Sequence, residues 1–427
     1  MSDQIKAPNA TLDWYAPRIA LRQRVAEVAI ETFERAGFRQ IVTPVFEETR
    51  LFARTSGESS DVVQKEMYSF TDRSERELTL RPEGTAPVVR AYLEHGLSRE
   101  PQPVKLWYFT PMYRYSRGQR GRYREHWQFG VEVLGSDAPA VDAEIIALQA
   151  AWYAALGLEG VVLKLNSIGD STCRPAYRKH LIAWMRAREK ELSAESIARI
   201  DLNPMRVFDS KDPGDQRAVR GGDSLLPVDP APRIADHLCD GCREHFGAVH
   251  ALLDARGVPY ELDPGLVRGL DYYERTAWEF VRAELGGQSA ISGGGRYDGL
   301  AEQIGGRRVP GVGFGCGSER IVLTLEDQGV AIDDRTTQWF CAIDEPDAVP
   351  ALHALLDRVR KAGIACEADL AGRSLKGQLK HAERLGATVV TVCTHESWAR
   401  KSVLVGDQEV PVSRLVAEIK RQIKRIA

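Results

Sequence analysis

Four short segments of the chain carry the polar residues best suited to chemistry. In Arg81-Pro82-Glu83-Gly84-Thr85 a strand pattern gives way to a helical one, placing the Glu83 carboxylate to receive a ligand ammonium while Thr85 caps the helix. A capped turn without any ligand accounts for these residues equally well. The connection Ser116–Arg124 (SRGQRGRYR) holds Arg117, Arg120, Arg122 and Arg124 and no acid, which suits either a phosphate-gripping loop or a solvated basic one. Along the strand that follows, alternation sets Gln128, Gly130 and Glu132 on one face and Trp127, Phe129, Val131 and Val133 on the other. That is a polar ligand face backed by a core, with Arg114 the nearest cation.

The third segment is Leu266-Val267-Arg268-Gly269-Leu270-Asp271-Tyr272-Tyr273. An arginine between apolar neighbours in a strand-like run is costly to bury without an anion, supplied by a ligand or by a structural carboxylate. The fourth is a pair of glycine tracts, Ser292–Asp298 (SGGGRYD) and Gly311–Arg320 (GVGFGCGSER). Gly311, Gly313, Gly315 and Gly317 fall on every second residue, so a strand there has one face stripped of side chains, open to a flat ligand such as adenine. Ser318 is expected to cap the next helix, whose first turn carries Arg320, suited to a phosphate.

These segments need elements to hold them. Helical spacing predicts a helix from about Pro17 to Ala36, then a strand Phe38–Phe46 that Pro44 confines to an edge or interface. Strand-like runs follow at Met67–Phe70, Leu78–Arg81, Val104–Arg114 and Tyr123–Leu134, interrupted by one helix, Thr85–His95. Consecutive strands with few crossovers indicate an antiparallel sheet. From about 173 to 260 the pattern is mostly helical and reads as an insertion, with the polar run DSKDPGDQRAVRGGDSLLP as an exposed loop. Strand-like pieces return at Pro259–Tyr273, Thr276–Val281, Ala290–Ser292 and Gly311–Gly317. Beyond about 336, strand and helix alternate as in a small α/β unit with a mainly parallel sheet. The expected fold is therefore an α+β core on an antiparallel sheet over 1–335, with a helical insertion, followed by an α/β domain over 336–427.

Composition sets the outer limits. A length of 427 residues predicts two or three domains, and 43% hydrophobic with 27% charged residues is ordinary for a globular chain. A net charge of −3 leaves nucleic-acid binding to local patches. No apolar run approaches the roughly 18 residues of a membrane span, and the first residues lack a secretory pattern. Seven thinly spread cysteines suggest reduced thiols and a cytoplasmic location. There is no Gly-Lys dipeptide for a Walker loop, no GxGxxG, no GxSxG and no HExxH. Cys239 and Cys242 form a lone CxxC near His237, His245 and His250; a structural zinc wants four ligands, usually two separated pairs, so two reduced thiols is the expected reading.

Together these segments resemble histidyl-tRNA synthetase, a class II aminoacyl-tRNA synthetase, over nearly the whole chain. The helix and strand ending with Pro44 resemble class II motif 1, Tyr113–Glu132 motif 2, and Gly311–Arg320 motif 3; LVRGLDYY and SGGGRYDGL resemble the two signatures specific to the histidine enzyme. The resemblance implies ATP-dependent attachment of histidine to its tRNA through a histidyl-adenylate, by a cytoplasmic homodimer using ATP with Mg²⁺. It implies that Arg268, Arg114 and Arg320 are catalytic, with Arg114, Arg320, Gly315 and Gly317 binding ATP. Glu83, Gly84, Thr85, Gln128, Glu132, Tyr272, Tyr273 and Tyr297 would bind histidine, and Arg117, Arg120, Arg122 and Arg124 the tRNA acceptor end. The α/β unit, with Arg373-Ser374-Leu375-Lys376, resembles the family's anticodon-binding domain. One departure stands out: where motif 2 usually has a glutamate for the adenine amino group, this chain has Ser116. A non-catalytic regulatory subunit of ATP phosphoribosyltransferase resembles the same core, but typically lacks the anticodon domain and the catalytic arginines.

Overall fold

The computed structural model describes residues 4–55, 62–220, 230–282, 290–331 and 337–426. The chain divides into two compact units, Met1–Ala331 and Ile332–Ala427. The expected boundary between 335 and 336 falls outside the described residues.

The strands of the first unit are β1 (Arg39–Gln40), β2 (Phe46–Glu48), β3 (Tyr68–Thr71), β4 (Glu77–Leu80), β5 (Val104–Tyr113), β6 (Glu125–Leu134), β7 (Val162–Ser167), β8 (Glu261–Leu262), β9 (Glu274–Val281), β10 (Ala290–Arg296) and β11 (Gly311–Gly317). Eight of them form one sheet in the order β1-β5-β6-β11-β10-β9-β7-β8. Its six inner strands are antiparallel, as the succession of strands without crossover helices demands, while the two-residue strands β1 and β8 add parallel margins. One face is covered by the helices Arg18–Arg35 and Pro139–Leu156, where Phe33 packs its ring against Trp107, Trp152 and Phe314. Each such buried side chain contributes roughly 1.5–3 kcal/mol. The opposite face of β6, β11 and β10 is left for the polar and glycine positions.

Pro44 lies in no strand. The chain leaves the large sheet after Gln40 and enters the small sheet of β2, β4 and β3 at Phe46. Arg81 bridges the junction: its Nη1 donates to the Thr43 carbonyl at 2.8 Å and its Nε to the Pro111 carbonyl at 2.8 Å. Nor is the stretch up to Tyr273 a strand beyond Leu262. Asp263-Pro264-Gly265 makes a turn, with Gly265 N–H donating to Asp263 Oδ1 at 3.0 Å, and 266–273 folds back over the sheet.

The insertion is helical and has its own core around Tyr177, Leu181, Trp184 and Met185. Within the run expected as a loop, Pro213–Arg220 is a helix, because buried Asp215 collects hydroxyls from Ser193, Ser196 and Ser210; residues 221–227 of that run lie outside the described part. Neither predicted hydroxyl cap forms. Gly84 and Gly317 occupy the cap positions, with Thr85 and Ser318 as the first helical residues of Thr85–Glu94 and Ser318–Asp327.

The second unit has β12 (Trp339–Ile343), β13 (Cys366–Ala368), β14 (Val389–Cys393), β15 (Ser402–Val405) and β16 (Gln408–Pro411), in the order β13-β12-β14-β15-β16. The first three are parallel, as alternation of strand and helix predicts; β15 and β16 append an antiparallel hairpin that the sequence reading passed over. Among the described residues no helix is long and apolar enough to cross a membrane.

Candidate functional site

The glycine face is not bare. A Cβ at Gly313 would lie 1.9 Å from Glu132 Oε2, one at Gly315 2.3 Å from Gln128 Nε2, and one at Gly311 2.4 Å from the Tyr297 ring. On β10 next door, a Cβ at Gly293 would meet the Arg268 guanidinium at 2.2 Å and one at Gly295 the Tyr273 ring at 2.7 Å. On β6, Gly130 makes room for Tyr108 in the same way. The register sets Gly293 opposite Gly315 and Gly295 opposite Gly313, so these absences form one continuous floor. The expectation of a flat ligand on all four alternating glycines is therefore corrected: the floor is occupied by the protein's own polar side chains. Only at Gly317 does a Cβ find open space, its nearest neighbour being Glu319 Oε2 at 3.8 Å.

On this floor sits a cleft of about 320 Å³ lined by Glu83, Thr85, Arg114, Gln128, Arg268, Tyr272, Tyr273, Gly315, Gly317 and Arg320. Glu132 and Tyr297 lie beneath it rather than on its wall. Glu132 is fully buried and accepts from Thr85 Oγ1 at 2.8 Å, from Tyr108 OH at 3.3 Å and from Tyr297 OH. Burial pushes its carboxyl up to about 8, against the hydrogen bonds that favour the anion. Glu83 caps the helix that Thr85 was expected to cap, accepting from the amides of Thr85 at 2.6 Å and Ala86 at 2.9 Å. Gly84 packs under the Tyr108 ring. The rings of Tyr272 and Tyr273, 4.6 Å apart, close this end together with Tyr297. The result is a small aromatic recess with two buried carboxyls, Glu132 at its base and Glu83 beside it, whose pKa burial pushes up against the two amide hydrogen bonds it accepts, a shape for a compact cationic or amine-bearing ligand.

The other end is cationic. Arg114 is held by Nε donation to the Pro82 carbonyl at 2.7 Å, and Arg320 by donation to the carbonyls of Gly121 at 3.3 Å and Ala290. Arg268 pairs with Glu279 and lies over the Tyr273 ring, 5.4 Å from its centroid, while its Nε is buried without a hydrogen bond. His126 registers the field: burial and then the charges of Arg114, Arg320 and Arg122 hold its pKa down to about 3. Three residues not singled out from sequence, His126, Glu279 and Glu319, also line the cleft. Glu279 sits in a mostly buried strand and Glu319 closely follows the last glycine, signals too ordinary to be read without the fold. Ser116 lines the same end with its Oγ buried and without a partner.

The four loop arginines are engaged differently. Arg122 lines the cleft and pairs with Glu66, Arg120 pairs with Asp327, Arg124 stacks over the Tyr115 ring at 4.0 Å, and Arg117 is exposed. The three histidines near Cys239 and Cys242 are engaged elsewhere: His245 with Asp142, His237 against His180, and His250 against Tyr260. The CxxC is nevertheless not alone, since Cys173 and Asp170 join it.

Three comparisons bear on this geometry. The family model described as Histidyl-tRNA synthetase matches residues 11–321. The chain is 45% identical over 424 residues to the histidine–tRNA ligase of Corynebacterium efficiens, covering 98% of this chain and 96% of that one. It is 44% identical to the histidine–tRNA ligase of Moorella thermoacetica, with 96% of each covered. The crystal structure of apo histidyl-tRNA synthetase from S. aureus superposes with a TM-score of 0.80 at 34% identity, covering 98% of this chain and 100% of the other.

Proposed function

The chain belongs to the histidyl-tRNA synthetase family and catalyses the ATP-dependent attachment of histidine to tRNA; we propose that both chemical steps take place in the cleft above the glycine floor. The observation that carries this reading is the polarity of the cleft, a carboxyl-based aromatic recess at one end and three convergent arginines at the other.

Histidine enters the recess with its imidazole toward Glu132 and Tyr273 and its ammonium toward Glu83, Thr85 and Gln128. Tyr272 completes the wall, and Tyr297 supports Glu132 from beneath. The amino-acid carboxylate then points to Arg268, which bridges it to the α-phosphate of ATP, while Arg114 and Arg320 hold the phosphates. Gly317, the open end of the floor, admits the adenine side. The carboxylate oxygen attacks the α-phosphorus, the bond to the β-phosphate oxygen breaks, and pyrophosphate leaves. A carboxylate is already ionised at neutral pH, so this step needs no strong base; it needs alignment and stabilisation of the charge on the phosphoryl oxygens. The terminal tRNA hydroxyl next takes the histidyl group and AMP leaves, with the loop arginines, Arg122 foremost, set to meet the acceptor phosphates.

Magnesium fits this site. Glu279 and Glu319 are oxygen donors on the cleft wall, and Glu319 Oε2 is buried without a hydrogen bond. These two would hold it, where it neutralises phosphate charge. The homodimer is supported by exposed apolar residues around the motif 1 segment, Val42 at 69% and Phe46 at 50% exposure. The α/β unit is assigned to the anticodon. The three arginines and this second unit favour the ligase over the regulatory paralogue, and the cytoplasm is the compartment where its substrates meet.

The test is pyrophosphate exchange with each of the twenty amino acids in turn. Exchange dependent on histidine alone is expected; exchange with another amino acid, or with none, overturns the assignment.

A further inference from the structure

Outside the residues that line the cleft, the insertion is joined to the core by a second cluster. The loop after β7, residues 168–173, brings Asp170 and Cys173 against Cys239 and Cys242, and one ligand atom from each of the four lies within 4.8 Å of all the others. The Sγ atoms of Cys173 and Cys242 are 3.9 Å apart; Asp170 Oδ1 is 3.6 Å from Cys173 Sγ and 3.8 Å from Cys239 Sγ. A tetrahedral zinc with Zn–S of about 2.3 Å and Zn–O of about 2.1 Å has edges of ~3.8 Å between sulfurs and ~3.6 Å between sulfur and oxygen. We infer that Asp170, Cys173, Cys239 and Cys242 bind one structural zinc ion.

The surroundings fit that reading. Cys173 and Cys239 stand at the N-cap positions of the helices Arg174–Arg186 and Asp240–Ala255. The Asp170 amide donates to Cys173 Sγ at 3.3 Å, and Asp170 Oδ1 accepts from the Thr172 amide at 2.9 Å, supports that orient ligands from behind. Arg275 approaches the other carboxylate oxygen at 3.5 Å and offsets part of the negative charge. Gly169, at φ +65°, is needed for the loop to close: a Cβ there would lie 2.7 Å from Cys173 Sγ. The two ligand pairs are separated in sequence, one D-x-x-C and one C-x-x-C, which is the spacing of a closed structural site with an aspartate replacing one thiol.

The site would pin both long insertion helices to the core. Ile168 N–H donates to the Arg275 carbonyl at 2.7 Å and Arg275 N–H to the Gly169 carbonyl at 2.8 Å, and Arg174 donates to the Tyr273 carbonyl. Cys173 thus directly precedes Arg174, whose side chain touches the Tyr272–Tyr273 segment.

The experiment is metal analysis of the full-length protein purified under reducing conditions, with binding of added zinc and cobalt(II) followed directly. About one zinc per chain is expected, displaced by a mercurial. Cobalt should give intense visible bands and thiolate charge transfer, as a tetrahedral thiolate site does. Cys239→Ser is the informative variant, because serine is a good N-cap and the helix should survive. Loss of a direct ligand should weaken zinc binding by no less than the ~10–100-fold that follows from disturbing its supports. A chain that takes up no zinc, a weak octahedral cobalt spectrum, a disulfide among these cysteines in the reduced preparation, or undiminished zinc in Cys239→Ser would each overturn the site.

Discussion

The Glu132 carboxylate occupies the space that a side chain at position 313 would fill: a Cβ on Gly313 falls 1.9 Å from Glu132 Oε2 and 2.4 Å from the Val131 carbonyl. Neither neighbour is the free end of a flexible chain, since Glu132 is held by Thr85, Tyr108 and Tyr297. Gly313→Ala should therefore cost about 1–3 kcal/mol of stability by overpacking and raise the histidine KM. Gly317→Ala meets no neighbour within 3.4 Å and should leave the melting temperature unchanged while raising the ATP KM. Thermal melting and exchange kinetics on the pair would check this; equal melting of both variants would remove the steric argument.

Burial gives Glu132 a pKa of about 8 in the folded chain, against 4.5 for an ordinary glutamate. Between those values the folded protein keeps a proton that the unfolded chain has lost, so rising pH favours unfolding throughout that window. Glu319, raised to about 7 mainly by burial, acts in the same direction. Glu132→Gln removes one such proton. Its stability relative to wild type should climb from about pH 4.5 to about pH 8 and level off above, as read by urea unfolding across that range. A pH-independent difference between the two proteins would mean Glu132 is ionised as usual.

Much of this site was legible because the signals were local. Alternation alone separates Gln128 and Glu132 from Phe129 and Val131, and alternating glycines announce a stripped face. What covers that face was not legible: Tyr297, Gln128 and Arg268 reach it from three different strands or loops, and only strand register brings them together. The strand misread at Arg268 comes from the turn at Asp263-Pro264-Gly265, which outweighs the apolar pattern after it, whereas the missed cap is local: the Glu83 carboxylate reaches the Thr85 and Ala86 amides in place of the Thr85 hydroxyl. Cys173 escaped notice because 65 residues separate it from the CxxC.

Arg268 pairs with Glu279 in the structure and is proposed to bind the substrate anion as well. Arg268→Ala should lower histidine-dependent exchange about 100–1000-fold and also destabilise the fold by leaving Glu279 unpaired. Adding Glu279→Gln should restore the melting temperature without restoring exchange. If the double variant regained exchange as well, Arg268 would be a structural partner only.

A chain ended at Ala331, the limit of the first unit, retains every cleft residue named above. It should keep histidine-dependent pyrophosphate exchange and lose most tRNA charging. Parallel loss of both activities would mean that the second unit supports the core rather than the anticodon.

Ser116 is 3% exposed and lines the cationic end of the cleft, and its buried Oγ has no hydrogen-bond partner. It stands where the family's motif 2 resemblance calls for a glutamate to accept from the adenine amino group. A serine oxygen reaches less far and carries no charge, so it meets the base through a water or not at all. The missing hydrogen bond is worth about 0.5–1.5 kcal/mol, a factor of roughly 2–13 in ATP affinity. Ser116→Glu, at a residue that lines the cleft with Arg114 and Arg122, should therefore lower the ATP KM several-fold. The histidine KM should not move, since the recess around Glu132 lies at the other end. An ATP KM that stays the same or rises would show that the backbone or another side chain already holds the base.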